Sequence, residues 1–274
     1  MIDGPTPPAR VDVVIVAYRS HNVIEACLAS LLKDPAVGKV VVVNNNPGDA
    51  VSQRVRAFHG VELIEPDRNI GFGPAVNLSQ PHLSGSYIAI ANPDTVQHNG
   101  TVGQVAAFLD THTRAGLASP RVFDHSGRLC CSSEREVSVA WLLLDSLRLP
   151  PGLGTRRSRR VHRRAHPTQN LNGAFLVARR RALDEVGWFD ESIFLFGEDQ
   201  DLCRRMRTAG WEVWYTALGH IVHEGGHSWR HLGRQAWQAQ RDARMEQLRR
   251  AHGPRQAALF RWLGAAKDVV RRGA

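Results

Sequence analysis

The chain has 274 residues, 43% of them hydrophobic and 22% charged, with 24 glycines, 14 prolines and four cysteines. That balance excludes a disordered polymer, a collagen-like repeat and a disulfide-rich scaffold, and the length buries a full core as one large α/β domain with an appendage or as two small domains. Lysine plus arginine total 35 against 26 for aspartate plus glutamate, a formal net charge of +9.

The positive charge is local. Residues 155–166, TRRSRRVHRRAH, hold six arginines and no acid, and residues 230–274 hold eleven basic and three acidic residues. The rest of the chain is slightly acidic. A basic loop and a basic tail on such a body suit a docking surface for anionic lipid or a phosphate-bearing partner, and solvated charge accounts for them equally well. A nucleic-acid binder would carry its basic stripe on the folded core, so no nucleic-acid partner is expected. No apolar run approaches the ~18–20 residues needed to span a bilayer. The start, MIDGPTPPAR, lacks the pattern of a signal peptide. Cys27, Cys130, Cys131 and Cys203 show no CxxC spacing, which reads as reduced thiols in a cytoplasmic protein.

In chain order, Val11–Ala17 is predicted as a buried strand and His21–Lys33 as a helix with Ile24, Leu28, Leu31 and Leu32 on one side. Lys39–Val43 is a strand ending at the turn signal Asn44-Asn45-Asn46-Pro47-Gly48. Gly48–Phe58 reads as a helix, Val61–Glu65 as a strand, Gly73–Ser79 as a helix, Tyr87–Ala91 as a strand and Thr101–His112 as a helix. Val139–Leu144 suits a strand or a short buried helix, and Arg156–His166 a mobile loop. Asn172–Ala178 reads as a short strand and Arg180–Val186 as a helix. Glu198–Ala209 follows as a helix stopped by Gly210, then a strand over Trp211–Tyr215 and strand-like Gly219–Val222. Two terminal helices, 231–252 and 255–272, flank Gly253-Pro254. Strand–helix alternation implies an α/β fold with a mostly parallel sheet and right-handed crossovers.

Ligands on such sheets sit beyond the carboxyl ends of the strands. Tyr18, Asn44-Asn45, Asp67-Arg68-Asn69 and Asn92-Pro93-Asp94 each end an apolar run, and four such endings in register point to a lined cleft. Two motif lookalikes are set aside. Gly71-Phe72-Gly73-Pro74-Ala75-Val76 lacks the third glycine of a dinucleotide fingerprint and follows the wrong strand. His223-Glu224-Gly225-Gly226-His227 has the letters of a zinc-peptidase HExxH, but two central glycines cost about 2 kcal/mol of helix stability, and the stretch follows a strand.

The chemistry concentrates in Gly197-Glu198-Asp199-Gln200-Asp201, three acids at a helix start. Acids there complement the helix dipole, yet the preceding Phe194-Leu195-Phe196 is expected to bury the approach and raise a carboxylate's basicity. Asp94, after a strand, is a hard oxygen donor suited to Mg²⁺ or Mn²⁺ shared with substrate phosphates.

At this point the residues resemble a family. From about Val11 to Ser228 the chain is similar to family 2 glycosyltransferases of the GT-A fold, especially their bacterial rhamnosyltransferase-like branch. The ordered elements are VDVVIVAYRS, VVVVNNNPGD, NIGFGPAVN, IAIANPDT, NGAFLVARRRAL, EVGWFDESIFLFGEDQDLCRRMRTAGW and HIVHEGGHS. The resemblance implies a Rossmann-like sheet flanked by helices over residues 1–229, and the charge and apolar spacing add a basic amphipathic helical appendage over 230–274. It implies that Asp94 ligates Mg²⁺ or Mn²⁺, with Asn92 at the position of the motif's first acid and His223 completing the metal site. Asp199 matches the general base, with Glu198 beside it and Asp201 structural. Ala17, Tyr18, Asn44, Arg68, Asn69 and Gly71, with Asn92 and Asp94, fall where the family holds the nucleotide sugar. Asn44 stands where many members have an aspartate.

The implied activity is inverting transfer of a sugar, first rhamnose from dTDP-rhamnose, from a nucleotide-diphosphate donor to a hydroxyl on a glycan, lipid-linked sugar or small molecule. A catalytically silent sugar-nucleotide-binding scaffold is the alternative. Leu259, Trp262, Leu263, Ala266, Val269 and Val270 form one helical stripe opposite mostly charged residues. Such a helix can lie peripherally on an anionic membrane or dock on the protein's own body.

Overall fold

The computed structural model describes residues 11–98, 100–136 and 161–225, and in the C-terminal segment residues 242, 245, 246, 249, 250, 253–255 and 258. The Val139–Leu144 run, the arginines at 156–160, His227 and the apolar stripe of the tail lie outside the described residues.

Alternating apolar side chains explain the layering. Strand β1 (Val11–Ala17) is buried along its whole length. Val11, Val13, Ile15 and Ala17 join one core cluster, and Val14 and Val16 the other. The same parity holds in β2 (Val37–Asn44) and, further along the chain, in β4 (Tyr87–Ala91). One face is covered by α1 (Ile24–Leu31), α2 (Ala50–Arg56) and α4 (Thr101–Thr111). The other is covered by α3 (Phe72–Leu78), α5 (Arg180–Val186) and α6 (Glu198–Thr208). A strand buried on both faces reads as a continuous apolar run, as these do.

The remaining strands are β3 (Val61–Ile64), β5 (Thr95–His98), β6 (Ala115–Phe123), β7 (Ser133–Glu134), β8 (His166–Pro167), β9 (Asn170–Leu171), β10 (Phe175–Arg179) and β11 (Glu212–His223). The large sheet runs β3-β2-β1-β4-β10-β6-β11-β5, with β8 also paired to β11, while β7 and β9 form a separate ribbon. The β3–β2–β1–β4 pairings and β6–β11 are parallel. Strand β10 is reversed, antiparallel to both β4 and β6, and β5 and β8 are antiparallel to β11. The N-terminal end of β10 therefore lies at the carboxyl end of β4.

The structure corrects several sequence expectations. Strands β5 and β6 carry no clean apolar signal, β6 because Gly116, Ser119 and Pro120 interrupt it. It is nonetheless a central strand. Its pairing with β11 shifts between Tyr215 and His220, opposite Pro120, so the imino acid sits where no ladder donor is needed. For the same reason Trp211–Tyr215 and Gly219–Val222 are not two strands but parts of one 12-residue strand with a kink, where Ala217 and Gly219 take positive φ. The described part of the Arg156–His166 stretch is not a loose loop. Val161–Arg163 forms a 3₁₀ turn and His162 is fully buried, accepting the Ser133 N–H at 3.1 Å.

Asp12 ties the entry of β1 to its surroundings. Its buried carboxylate accepts the N–H groups of Lys39 at 3.0 Å and of Ser84 and Gly85 at 2.7 Å. An Asp12→Ala variant strands these donors and is expected to lose about 3 kcal/mol of stability, read as a lower midpoint in urea denaturation.

Candidate active site

Four strand ends and one helix start build the site. At the end of β1, Tyr18 and Ser20 close a tight turn, with the Ser20 hydroxyl accepting the Tyr18 N–H at 3.0 Å. Arg19 takes a positive φ of 53° and lays its guanidinium over the Tyr18 ring. Ala17 is fully buried and accepts the Asn45 N–H at 2.7 Å.

At the end of β2 the two asparagines divide their work. Asn44 is fully buried, donating to Asp49 at 3.0 Å and Ser52 at 2.8 Å while its oxygen accepts the Asn46 N–H. It thereby fixes the turn in which Asp49 caps α2 through the Val51 N–H. Asn45 reaches the next loop instead. Its amide donates to Asn69 Oδ1 and the Gly71 carbonyl, both at 2.9 Å, and its oxygen accepts the Ile70 N–H. Asn69 also accepts the Gly71 N–H at 3.0 Å, so of the expected nucleotide residues Asn69 and Gly71 are joined in one clasp. Arg68 stays exposed beside it. Gly71 has φ +93°, and a β-carbon there would come within 2.5 Å of the Phe194 carbonyl oxygen. Only glycine allows that approach.

After β4, the Asn92 carbonyl accepts both the N–H and the hydroxyl of Thr95, closing the Asn92–Asp94 turn. Strand β5 then runs antiparallel to β11, pairing Thr95 with His223. That register brings His223 Nε2 to 3.3 Å from Asp94 Oδ1, and the Glu224 N–H donates to the Asp94 carbonyl. Asp94 is buried. One carboxylate oxygen and one imidazole nitrogen make a donor pair that suits Mn²⁺ well and Mg²⁺ less well. Among the described residues no cluster of three or more His, Cys, Asp or Glu could hold a metal by itself. The pair therefore fits a cation that takes further oxygens from a bound diphosphate, and the HExxH-like letters begin at the last residue of a strand, His223, rather than in a helix.

The helix start lies at the same end of the sheet. The Asn92 N–H donates to the Ala174 carbonyl at 2.9 Å, and the adjoining Gly173 N–H donates to Asp199 Oδ2 at 2.9 Å. One short backbone stretch thus touches the Asn92–Asp94 turn on one side and the Asp199 carboxylate on the other. Asp199 Oδ1 accepts the Gln200 N–H at 2.8 Å. Burial raises the Asp199 carboxyl above the usual range, reinforced by the Glu134 charge and opposed by the Gly173 and Gln200 N–H groups. Burial raises Glu198 further, with the Asp199 charge beside it, and Glu198 Oε2 has no hydrogen-bond partner among the described residues. Asp201 faces the other way, bonded to Arg204 at 2.7 Å and Arg205 at 2.6 Å.

The approach is not buried as the aromatic run implied. Phe194 is 55% exposed. The chain enters α6 through two consecutive left-handed residues, Phe196 at φ 66° and Gly197 at φ 97°. A bulky residue held there stores strain of the kind found at functional sites. The sequence alone does not single out Gly173, and it offers Asn45 only as part of a strand end and Phe194 only as cover for the approach. The signal for Gly173 lay in the Asn-Gly-Ala turn, which opens a strand.

Comparisons with known proteins agree with this architecture. A family model described as glycosyltransferase like family 2 matches residues 7–241. The chain belongs to that family. It is 28% identical over 234 residues to an N-acetylglucosaminyl-diphospho-decaprenol L-rhamnosyltransferase of Mycobacterium tuberculosis, covering 79% of this chain and 76% of that one. It is 22% identical over 225 residues to rhamnosyltransferase WbbL of Escherichia coli, covering 78% and 83%. Among solved structures, mannosyltransferase PcManGT from Pyrobaculum calidifontis, in complex with GDP-Man and Mn²⁺, superposes with a TM-score of 0.59 at 18% identity, covering 97% of this glycosyltransferase and 82% of that chain. GalNAc-T7 with UDP, GalNAc and Mn²⁺ gives 0.59 at 12% identity, covering 79% of this chain and 44% of that one. The fold is GT-A.

A β-carbon at Gly173 would lie 3.2 Å from Asp199 Cβ and 3.3 Å from Oδ2. Gly173→Ala is therefore expected to push the carboxylate off its N–H donor and lower sugar-transfer kcat about tenfold or more, in steady-state assays, with little change in melting temperature.

Proposed function

We propose that this glycosyltransferase is metal-dependent and inverting, and that it moves rhamnose from dTDP-rhamnose onto a sugar carried by a polyprenyl diphosphate. The observation that carries the reading is the shared backbone contact: the Gly173–Ala174 stretch links the Asp199 carboxylate to the turn holding Asp94. The names of the mycobacterial and Escherichia coli relatives support rhamnose as the sugar, and the mycobacterial name supports the lipid-linked acceptor.

Donor binding falls to the strand ends. Tyr18 and the Asn44–Asp49 turn offer the walls for the base, with Arg68 and the Asn69–Gly71 clasp beside them, and Asn92 and Asp94 lie toward the diphosphate. Asp94 and His223 would hold Mg²⁺ or Mn²⁺, which supplies positive charge against the leaving diphosphate. Asp199 takes the proton of the acceptor hydroxyl while that oxygen attacks the anomeric carbon from the face opposite the diphosphate. The bond to the diphosphate breaks as the new glycosidic bond forms, so one displacement inverts the anomeric centre. Desolvation makes Asp199 a stronger base than an exposed aspartate. Glu198 shares the burial, and the two carboxylates resist ionising together.

No helix among the described residues is long and apolar enough to cross a membrane. A peripheral enzyme at the inner face of the plasma membrane, drawn there by the arginine-rich segment and the basic tail, would meet a lipid-linked acceptor directly.

Asp199→Asn is expected to lower kcat by about 10³ in a donor-consumption assay with acceptor present, with donor KM nearly unchanged. Wild-type transfer kinetics in that variant would remove Asp199 from the mechanism. Because the base must be ionised and its carboxyl is raised, wild-type kcat/KM is expected to climb with pH through a limb above the ordinary aspartate value of ~3.9. A limb at or below that value contradicts the assignment.

A further inference from the structure

The segment between α5 and α6 ends on the Asp199 helix, and it is held at several points. Near its start, Asn77 of α3 accepts the Phe189 N–H at 3.1 Å and donates to the Phe189 carbonyl at 2.9 Å. Near its end, the Phe72 N–H donates to the Phe194 carbonyl at 3.0 Å. Between these clips the chain bends at Asp190, whose Oδ1 accepts both the N–H of Ser192 at 2.8 Å and its hydroxyl at 2.6 Å.

The other oxygen of Asp190 is taken by a residue distant in sequence. Arg250 Nη1 pairs with Asp190 Oδ2, and Nη2 donates to Ser192 Oγ at 3.0 Å. The same Nη1 stands 3.9 Å from Asp201 Oδ1, one turn into α6. Glu246, four residues earlier in the tail, accepts from Arg250 Nε at 2.9 Å and from Arg249 at 2.6 Å, which fixes the guanidinium plane. The Arg250 side chain is 22% exposed. A partly buried guanidinium using three of its nitrogens on fixed partners is a geometric constraint, unlike a lone surface ion pair. Membrane contact leaves this pairing unexplained; it is a specific contact of the tail with the protein's own body.

We infer that Arg250 is a positioning residue: the C-terminal segment clamps the 190–192 bend and so holds the loop that delivers Asp199 and exposes Phe194. Its link to turnover rests on the transferase reading above, but the clamp itself does not. Phe196 and Gly197 sit in left-handed conformations between the bend and Asp199, so slack at the bend has a strained joint through which to relax. The tail is then part of the frame of the site.

Hydrogen exchange followed by mass spectrometry on the full chain tests the clamp without any substrate. In Arg250→Ala, peptides spanning 190–201 are expected to exchange about tenfold faster, while β1 and β4 stay protected. Arg250→Lys, which keeps one charged contact, is expected to restore part of the protection. Asp190→Asn is expected to loosen the same peptides, with no further loosening when combined with Arg250→Ala. Alongside, Arg250→Ala is expected to lower kcat about tenfold with donor KM within about twofold. Unchanged exchange across 190–201 overturns the clamp, whatever the activity. Faster exchange with wild-type kcat overturns the positioning role. If the wild-type chain transfers no sugar yet Arg250→Ala loosens 190–201, the clamp stands and the transferase reading falls.

Discussion

The site depends on one reversed strand. Strand β10 runs antiparallel between β4 and β6, so the turn that opens it arrives at the end where β4 finishes. The Ala174 carbonyl takes the Asn92 N–H there, and the next amide, Gly173, is left facing Asp199. Had β10 run parallel, its opening turn would lie at the far end of the sheet and the acidic helix would have no contact with the Asp94 turn. The second convergence has the same origin. The antiparallel pairing of β5 with β11 delivers His223 to Asp94. In a sheet whose other strands mostly run one way, reversed β10 and reversed β5 each set late-sequence residues beside the turn that ends β4.

Packing and electrostatics then work in opposite directions. The two apolar faces of the sheet supply stability through completely buried Val, Ile and Leu side chains, each worth about 1.5–3 kcal/mol when fully buried. The site gives some of this back. Glu198 and Asp199 share a desolvated helix start, which penalises their charged forms. Phe196 occupies a conformation that an L-residue rarely adopts. The same burial that costs stability gives Asp199 its basicity, so relief of the strain and of the charge penalty cannot be had without changing the chemistry.

Much of the fold was legible because its central strands are buried on both faces. Val11–Ala17 and Tyr87–Ala91 match their strands at both ends, and Arg180–Val186 its helix. Strands β5 and β6 were illegible. Thr95–His98 is short and half polar, and Pro120 breaks the pattern of β6 at a position where the partner's bulge makes a missing N–H harmless. The site residues were legible only as types at strand ends. Spacing alone did not show which would meet: only the family resemblance paired Asp94 with His223, since Asp94 reaches His223 through the very strand that the pattern hid. Asn44 and Asn45 look interchangeable in the sequence, yet one points into α2 and the other across to Asn69. Arg250 was hidden in a tail whose charges read as solvated, as a docking surface for anionic lipid or a phosphate-bearing partner, or as a helix docked on the body, with no residue singled out.

In the proposed reaction, a cation beside Asp94 and the Asp199 carboxylate face one sugar-sized space. Anomalous diffraction from crystals grown with Mn²⁺ and a nucleoside diphosphate tests it most directly. A manganese peak in contact with Asp94 and His223, with the terminal phosphate turned toward Asp199 across the width of one sugar ring, is the expected result. A peak bound elsewhere, or Asp199 opening onto a different cavity from the diphosphate, would contradict it.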